Sequence, residues 1–218
     1  MNEEMSKNAL KSSTSLVGIV CKDGVVVGAD RRSTADGRLV LNKTKTKIRH
    51  VTPNIIAAYT GVVADIELLH KVLSAELKLR ELSTHTKPTV GEAANLMAML
   101  TYRGVRAMSP IPSIVGSLIA GVNPDGSTEL YTIEPFGAVL KVEDYDANFS
   151  SGMPFILGIL EKDYNKNMNV QQGAELARAC LRAAMERDTG SGNGIDVFAI
   201  TKDGIKHVIS EQLTAQVK

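Results

Sequence analysis

Hydrophobic and polar positions change period several times along this chain, and each change marks a new class of element. Two β-rich runs, Leu16-Val-Gly-Ile-Val-Cys21 and Val25-Val-Val-Gly-Ala29, flank Lys22-Asp23-Gly24. Asp-Gly between β-branched runs is a hairpin signal, because the glycine takes the positive φ of a tight turn. Further strands are predicted over 39–41, 45–49 and 54–59, so the chain up to residue 59 reads as one antiparallel meander. From Val63 the period lengthens. Ile66, Leu69, Leu73 and Leu77 recur at three and four, with acids early and Lys78 and Arg80 late. That pattern predicts an amphipathic helix over 63–82 whose charges suit its dipole. A second helix is predicted over 89–103, behind Pro88.

Past Pro110 and Pro112 the β pattern returns. Strands over 113–122 and 129–134 flank the turn Asn123-Pro-Asp-Gly126, and shorter ones are predicted over 138–142 and 147–150. Helices over 154–164 and 170–187 follow, then a hairpin of 194–201 with 205–209 that turns at Lys202-Asp-Gly204. Runs of strands alternating with runs of helices predict an α+β fold rather than βαβ units. Two stacked antiparallel sheets with a helix pair on each outer face satisfy every apolar face. The expectation is therefore a four-layer αββα sandwich, one domain over 14–218, preceded by a polar, patternless stretch over 1–13.

Charge narrows the function classes. Lys plus Arg number 25 and Asp plus Glu 24, a net charge of +1. So even a balance gives no electrostatic footprint for nucleic acid or an anionic membrane, and neither partner is expected. The N-terminal stretch has two acids, two lysines and no apolar run, so neither a secretory signal nor a transit peptide is read and a cytoplasmic setting is expected. Cys21 and Cys180 lie far apart without metal-ligand spacing and read as reduced, buried thiols. His50, His70, His85 and His207 are scattered, and G-x-S-x-G, H-E-x-x-H and Walker motifs are all missing. A histidine-based triad is thus not expected.

The remaining chemistry collects at element ends. Thr14 opens the first strand, and Gly28-Ala29-Asp30-Arg31-Arg32 closes the second, so a carboxylate and two cations arrive beside Thr14. Taken alone this reads equally as a surface ion-pair cluster. Phe149-Ser-Ser-Gly152 and Arg187-Asp-Thr-Gly-Ser-Gly-Asn-Gly194 add short Ser/Gly-rich turns at element junctions.

Together these segments resemble a family: the β subunits of the 20S proteasome, archaeal type, within the N-terminal-nucleophile hydrolases. The resemblance runs from Thr14 to about Ile209 and includes Lys47, Thr60-Gly61-Val-Val-Ala-Asp65, Ser151-Gly152 and Arg187-Asp188-x-x-Ser191-Gly192. It implies a threonine endopeptidase in which Thr14 becomes the N-terminal nucleophile once residues 1–13 are removed autocatalytically. A free α-amine, of pKa about 7.7–8.0, then takes the hydroxyl proton. By the same resemblance Asp30 and Lys47 flank the nucleophile and Gly61 supplies the oxyanion N–H. Ser151, Asp188 and Ser191 form the polar network around the amine, and Arg32 supports the strand end. Ser33, Thr34, Lys45, Arg49, Tyr59, Val63 and Glu67 fall at positions that line the pocket for the side chain preceding the cleaved bond, with Tyr59 as its floor. The implied reaction needs no metal or cofactor. Implied partners are unfolded polypeptide substrates, sister β subunits in a heptameric ring, α-subunit rings and, through these, a regulatory ATPase.

The chain departs from the pattern at Ser13, where the family usually has glycine, and at Ser15-Leu16, where two more threonines are common. Ser13 motivates a rival reading, a non-catalytic structural β subunit that keeps its extension. A bacterial double-ring peptidase or a small-molecule amidase with the same nucleophile is the third possibility.

Overall fold

A computed structural model describes residues 13–35, 39–109 and 113–213. Residues 1–12, which carry nearly all of the expected leader, lie outside the described residues, as do 36–38. Strands β1 (Leu16–Cys21) and β2 (Gly24–Asp30) form the expected hairpin. A ribbon of β3 (Ser33–Ala35) and β4 (Leu39–Asn42) leads to β5 (Ile48–Thr52) and β6 (Ile55–Gly61). Helices α1 (Val63–Thr84) and α2 (Val90–Arg106) precede β7 (Val115–Val122), β8 (Thr128–Ile133), β9 (Val139–Lys141) and β10 (Tyr145–Asp146). Then come α3 (Met153–Asp163), α4 (Val170–Arg187), β11 (Gly194–Thr201) and β12 (Gly204–Gln212).

One sheet has the order β10-β1-β2-β11-β12 and the other β5-β6-β7-β8-β9, all pairs antiparallel. Helices α3 and α4 cover the first sheet, where Ile156, Leu160, Ala177 and Leu181 pack on Val17, Ile19, Val26 and Val197. Helices α1 and α2 cover the second, with Leu73, Leu77, Ala94 and Met97 against Ile55, Ala57, Val115 and Ile119. Between the sheets Leu16, Val25, Val27 and Ala29 meet Ile56, Ala58, Leu118 and Leu130. The expected four-layer α+β sandwich is the observed one. Central strands are buried on both faces, which is why they read as continuous apolar runs rather than alternating ones. A side chain on Gly18 would come within 2.8 Å of Leu130, so the bare backbone lets the sheets close at that point.

Three local expectations are corrected. The single meander up to residue 59 is divided: β1 and β2 belong to one sheet, β5 and β6 to the other, and the β3–β4 ribbon bridges them. The strand expected over 45–49 starts only at Ile48, leaving Lys45 and Lys47 on the approach to it. The strand expected over 147–150 is a turn, because Asn148 sits at φ 47, in the left-handed region, and its N–H is taken by the Asp146 carboxylate. Both cysteines are free and buried, and burial pushes each thiol up to about 12, so neither is a nucleophile at neutral pH.

Candidate active site

One end of the sandwich collects the polar groups. Thr14 stands just before β1 and Asp30 ends its neighbour β2, so antiparallel pairing sets them side by side. Strand β11 pairs with β2 from the other flank, bringing the 188–193 turn to the same edge. The second sheet contributes Lys47, immediately before β5, and Gly61, at the end of β6.

Asp30 is fully buried, and its carboxylate accepts from four donors. Oδ1 takes Ser15 N–H at 2.9 Å and the Lys47 ammonium at 2.7 Å; Oδ2 takes the N–H groups of Arg32 at 2.9 Å and Gly192 at 3.0 Å. Four donors match the four lone-pair sites of a carboxylate. The expected alternative, a surface ion-pair cluster, does not describe this residue. Lys47 is also buried, and its Nζ donates to Thr14 Oγ1 at 3.1 Å. Burial draws the Lys47 pKa below the ordinary lysine value, outweighing the upward pull of Asp30, with the Arg32 guanidinium adding to the decrease.

Thr14 Oγ1 in turn donates to the Ser13 carbonyl oxygen at 2.7 Å, which sets the hydroxyl beside the preceding peptide bond. Thr14 N–H donates to Ser151 Oγ at 2.9 Å, and Ser151 donates to Asp188 Oδ2 at 2.6 Å. Ser191 also donates to Asp188, while its Oγ lies 2.8 Å from Ser15 Oγ. Thr14 N, Ser151 Oγ and the Asp188 carboxylate thus form one continuous hydrogen-bonded chain.

Beside Thr14 opens a cavity of about 70 Å³, lined by Ser33, Thr34, Lys45, Lys47, Tyr59, Gly61 and Val63 among others. Gly61 has φ 129, and a Cβ there would lie 2.2 Å from the Ile114 carbonyl oxygen, so no other residue keeps this path. Tyr59 is buried with its hydroxyl 3.0 Å from His70 Nδ1, and burial raises its pKa. Glu67 lies between two cations, 3.1 Å from Lys45 Nζ and in a two-point contact with Arg49 at 2.9 and 2.5 Å. Arg49, then Lys45, hold its carboxyl down at about 2. Among the described residues no cluster of three or more His, Cys, Asp or Glu is arranged to hold a metal ion.

A family profile described as "Proteasome subunit" matches residues 10–200. The chain belongs to the proteasome subunit family. Among similar proteins is the "Proteasome subunit beta" of Nanoarchaeum equitans, 36% identical over 198 residues, covering 91% of this chain and 98% of that one. The "Proteasome subunit beta" of Ferroglobus placidus is 34% identical over 202 residues, with 93% of each chain covered. That of Methanobrevibacter ruminantium is 35% identical over 213 residues, covering 98% of this chain and 97% of the other. In this proteasome-family chain the groups singled out in the sequence lie around one cleft: Thr14, Asp30, Lys47, Ser151, Asp188 and Ser191 in one hydrogen-bonded network, and Ser33, Thr34, Lys45, Tyr59, Gly61 and Val63 along the cavity beside it.

Sequence reading assigns no site role to Ser15, Asn148 or Gly190. Ser15 is buried and joins Asp30 to Ser191. Asn148 pins the turn before Ser151: its amide donates to Ser117 O at 3.2 Å, Thr132 Oγ1 at 2.8 Å and Ile133 O at 3.1 Å. Neither has a periodic signature. An asparagine where a strand pattern falters was the one available clue.

Proposed function

We propose that this chain is the precursor of a threonine-type endopeptidase subunit of the 20S proteasome, activated by cleavage between Ser13 and Thr14. The observation that carries the reading is the Thr14 hydroxyl, held between the Asp30-anchored Lys47 ammonium and the Ser13 carbonyl. In the activating step Oγ1 attacks the Ser13 carbonyl carbon. The C–N bond breaks and the hydroxyl proton ends on the Thr14 nitrogen. Water then hydrolyses the ester, releasing a carboxylate on Ser13 and restoring the hydroxyl.

The freed α-amine occupies the place of the amide that now faces Ser151, and titrates near neutrality. It accepts the Oγ1 proton during attack on a bound peptide, while the nearby Lys47 charge stabilises the developing oxyanion of Thr14. Gly61 N–H is assigned to the substrate oxyanion and the Ser33–Tyr59–Val63 cavity to the side chain preceding the cleaved bond. Unfolded polypeptides as substrates, a heptameric β ring, flanking α rings, an ATPase acting through them and a cytoplasmic setting complete the proposal. The family membership supports these assignments. No helix among the described residues is long and apolar enough to cross a membrane.

The test is intact-mass and N-terminal analysis of the chain co-expressed with an α subunit, with a fluorogenic peptide assay on the assembled particle. A chain beginning at Thr14 that hydrolyses peptide, both lost in Thr14→Ala, is expected. An assembled, inactive particle that keeps Met1 overturns the reading in favour of a structural subunit.

A further inference from the structure

Ser13 stands where the proteasome β family usually has glycine, so its side chain needs space beside the nucleophile. The structure shows where that space comes from. A Cβ placed on Gly190 would lie 2.1 Å from Ser13 Cβ, 2.5 Å from Ser13 Oγ and 3.0 Å from Ser13 Cα. Ser13 therefore fills the volume that any side chain at position 190 would need. Gly190 is not among the residues with positive φ, so its backbone would accept alanine without strain. The three atoms nearest such a Cβ all belong to Ser13, two of them its side chain.

The contact is placed where it affects the scissile bond. Ser13 carries the carbonyl that accepts from Thr14 Oγ1 at 2.7 Å. Gly190 N–H donates to Asp188 Oδ1 at 3.0 Å, and Asp188 accepts from Ser151, which receives Thr14 N–H. A side chain at 190 must displace either the Ser13 carbonyl or the turn that holds Asp188. The first accepts from the Thr14 hydroxyl, and the second holds the serine that accepts from Thr14 N–H.

We propose that Ser13 and Gly190 are a matched pair, in which the missing side chain at 190 seats Ser13 and so aims its carbonyl at Thr14 Oγ1 for cleavage. The inference rests on the activation reading given above. Gly190 is a positioning residue in it: the bond that forms is Thr14 Oγ1 to Ser13 C, the bond that breaks is Ser13 C to Thr14 N, and Gly190 takes part in neither. It also accounts for a serine at a position that favours glycine.

A double-mutant cycle tests the pair. Full-length parent, Gly190→Ala, Ser13→Gly and Ser13→Gly/Gly190→Ala chains are co-expressed with an α subunit, and conversion to a chain beginning at Thr14 is followed by intact mass. Gly190→Ala alone is expected to slow conversion about tenfold or more, and the double variant to recover to within about threefold of the parent. Recovery by removing a side chain elsewhere separates seating from a general folding defect. Conversion of Gly190→Ala at the parental rate, or no recovery in the double variant, overturns the pairing while leaving the activation reading intact. A parent chain that is never converted overturns both.

Discussion

Lys47 and Glu67 show how differently two charged residues of one cleft are constrained. Lys47 has traded water for Asp30 and Thr14, so removing it exposes a deficit in both directions. Lys47→Ala is expected to lower kcat for peptide hydrolysis by about 10²–10³-fold, the usual weight of one group that stabilises developing charge. It also strands the buried Asp30 carboxylate, at a cost of about 3–5 kcal/mol. Lys47→Arg keeps a cation for Asp30, but its planar fork cannot take the place of a compact ammonium between Asp30 and Thr14 Oγ1, so it should hold the fold better than alanine and still fail to restore kcat. Urea denaturation alongside the peptide assay distinguishes the two losses. Glu67 lies nearer solvent, and its role is to occupy Arg49 and Lys45. Glu67→Gln leaves both cations without a counter-charge, and is expected to raise kcat/KM for peptides with an acidic residue before the cleaved bond relative to those with leucine. Its stability effect has a defined sign. The folded carboxyl titrates at about 2 against an ordinary 4.5. The parent's advantage over the glutamine variant is thus complete above about pH 4.5 and fades as the pH falls toward about 2. Because Glu67 is partly exposed, that advantage is at most about 1 kcal/mol.

Among the elements, those bounded by local chemistry were the most legible. Helix α4 spans the range expected for it, since Asn169 and Gln172 form a reciprocal cap that its apolar period extends. Thr89 and Glu92 do the same for α2. The 147–150 turn was unreadable because its conformation is imposed from outside, by carbonyls of β7 and β8 that bond Asn148. Its consequence can be measured with two substitutions. Asn148→Gly keeps the left-handed backbone but loses the amide bonds, and is expected to cost about 1–3 kcal/mol. Asn148→Ala loses the same bonds but, unlike the glycine variant, keeps a Cβ at positive φ, and is expected to cost about 1 kcal/mol more than that variant. Chemical denaturation of the two variants gives the difference. Equal stabilities would mean that the hydrogen bonds alone hold the turn.

For the whole molecule, class and layering were legible, while the assignment of strands to sheets was not. Period, run length and the Asp-Gly turn identify β1 and β2 as a hairpin, but nothing local in the 31–47 segment marks it as a passage to the other sheet. Only packing decides that it crosses. In the site, chemically typed residues such as Thr14, Asp30 and Lys47 were accessible through motif resemblance. Ser15 and Gly190 were not, since they act through close contact and carry no distinguishing chemistry. The inter-sheet layer is where the sandwich is most sensitive to lost volume. Leu118, fully buried between the sheets, is expected to cost about 3–5 kcal/mol when replaced by alanine, read as a fall in the urea midpoint. A loss under about 1 kcal/mol would mean that the sheets move together to fill the gap.

The four donors on Asp30 come from widely separated parts of the chain: Ser15, Arg32, Lys47 and Gly192. Synthesis delivers them in that order, so a chain still emerging from the ribosome holds the hydroxyl, the lysine and the carboxylate long before Gly192 exists. Until that glycine and Ser191 close the turn, Asp30 lacks one of its four bonds and Ser15 lacks its seryl neighbour. In the proposed precursor, the last bond on Asp30 is therefore made by the part of the polypeptide synthesised latest, and a half-made chain lacks the complete surroundings of Thr14.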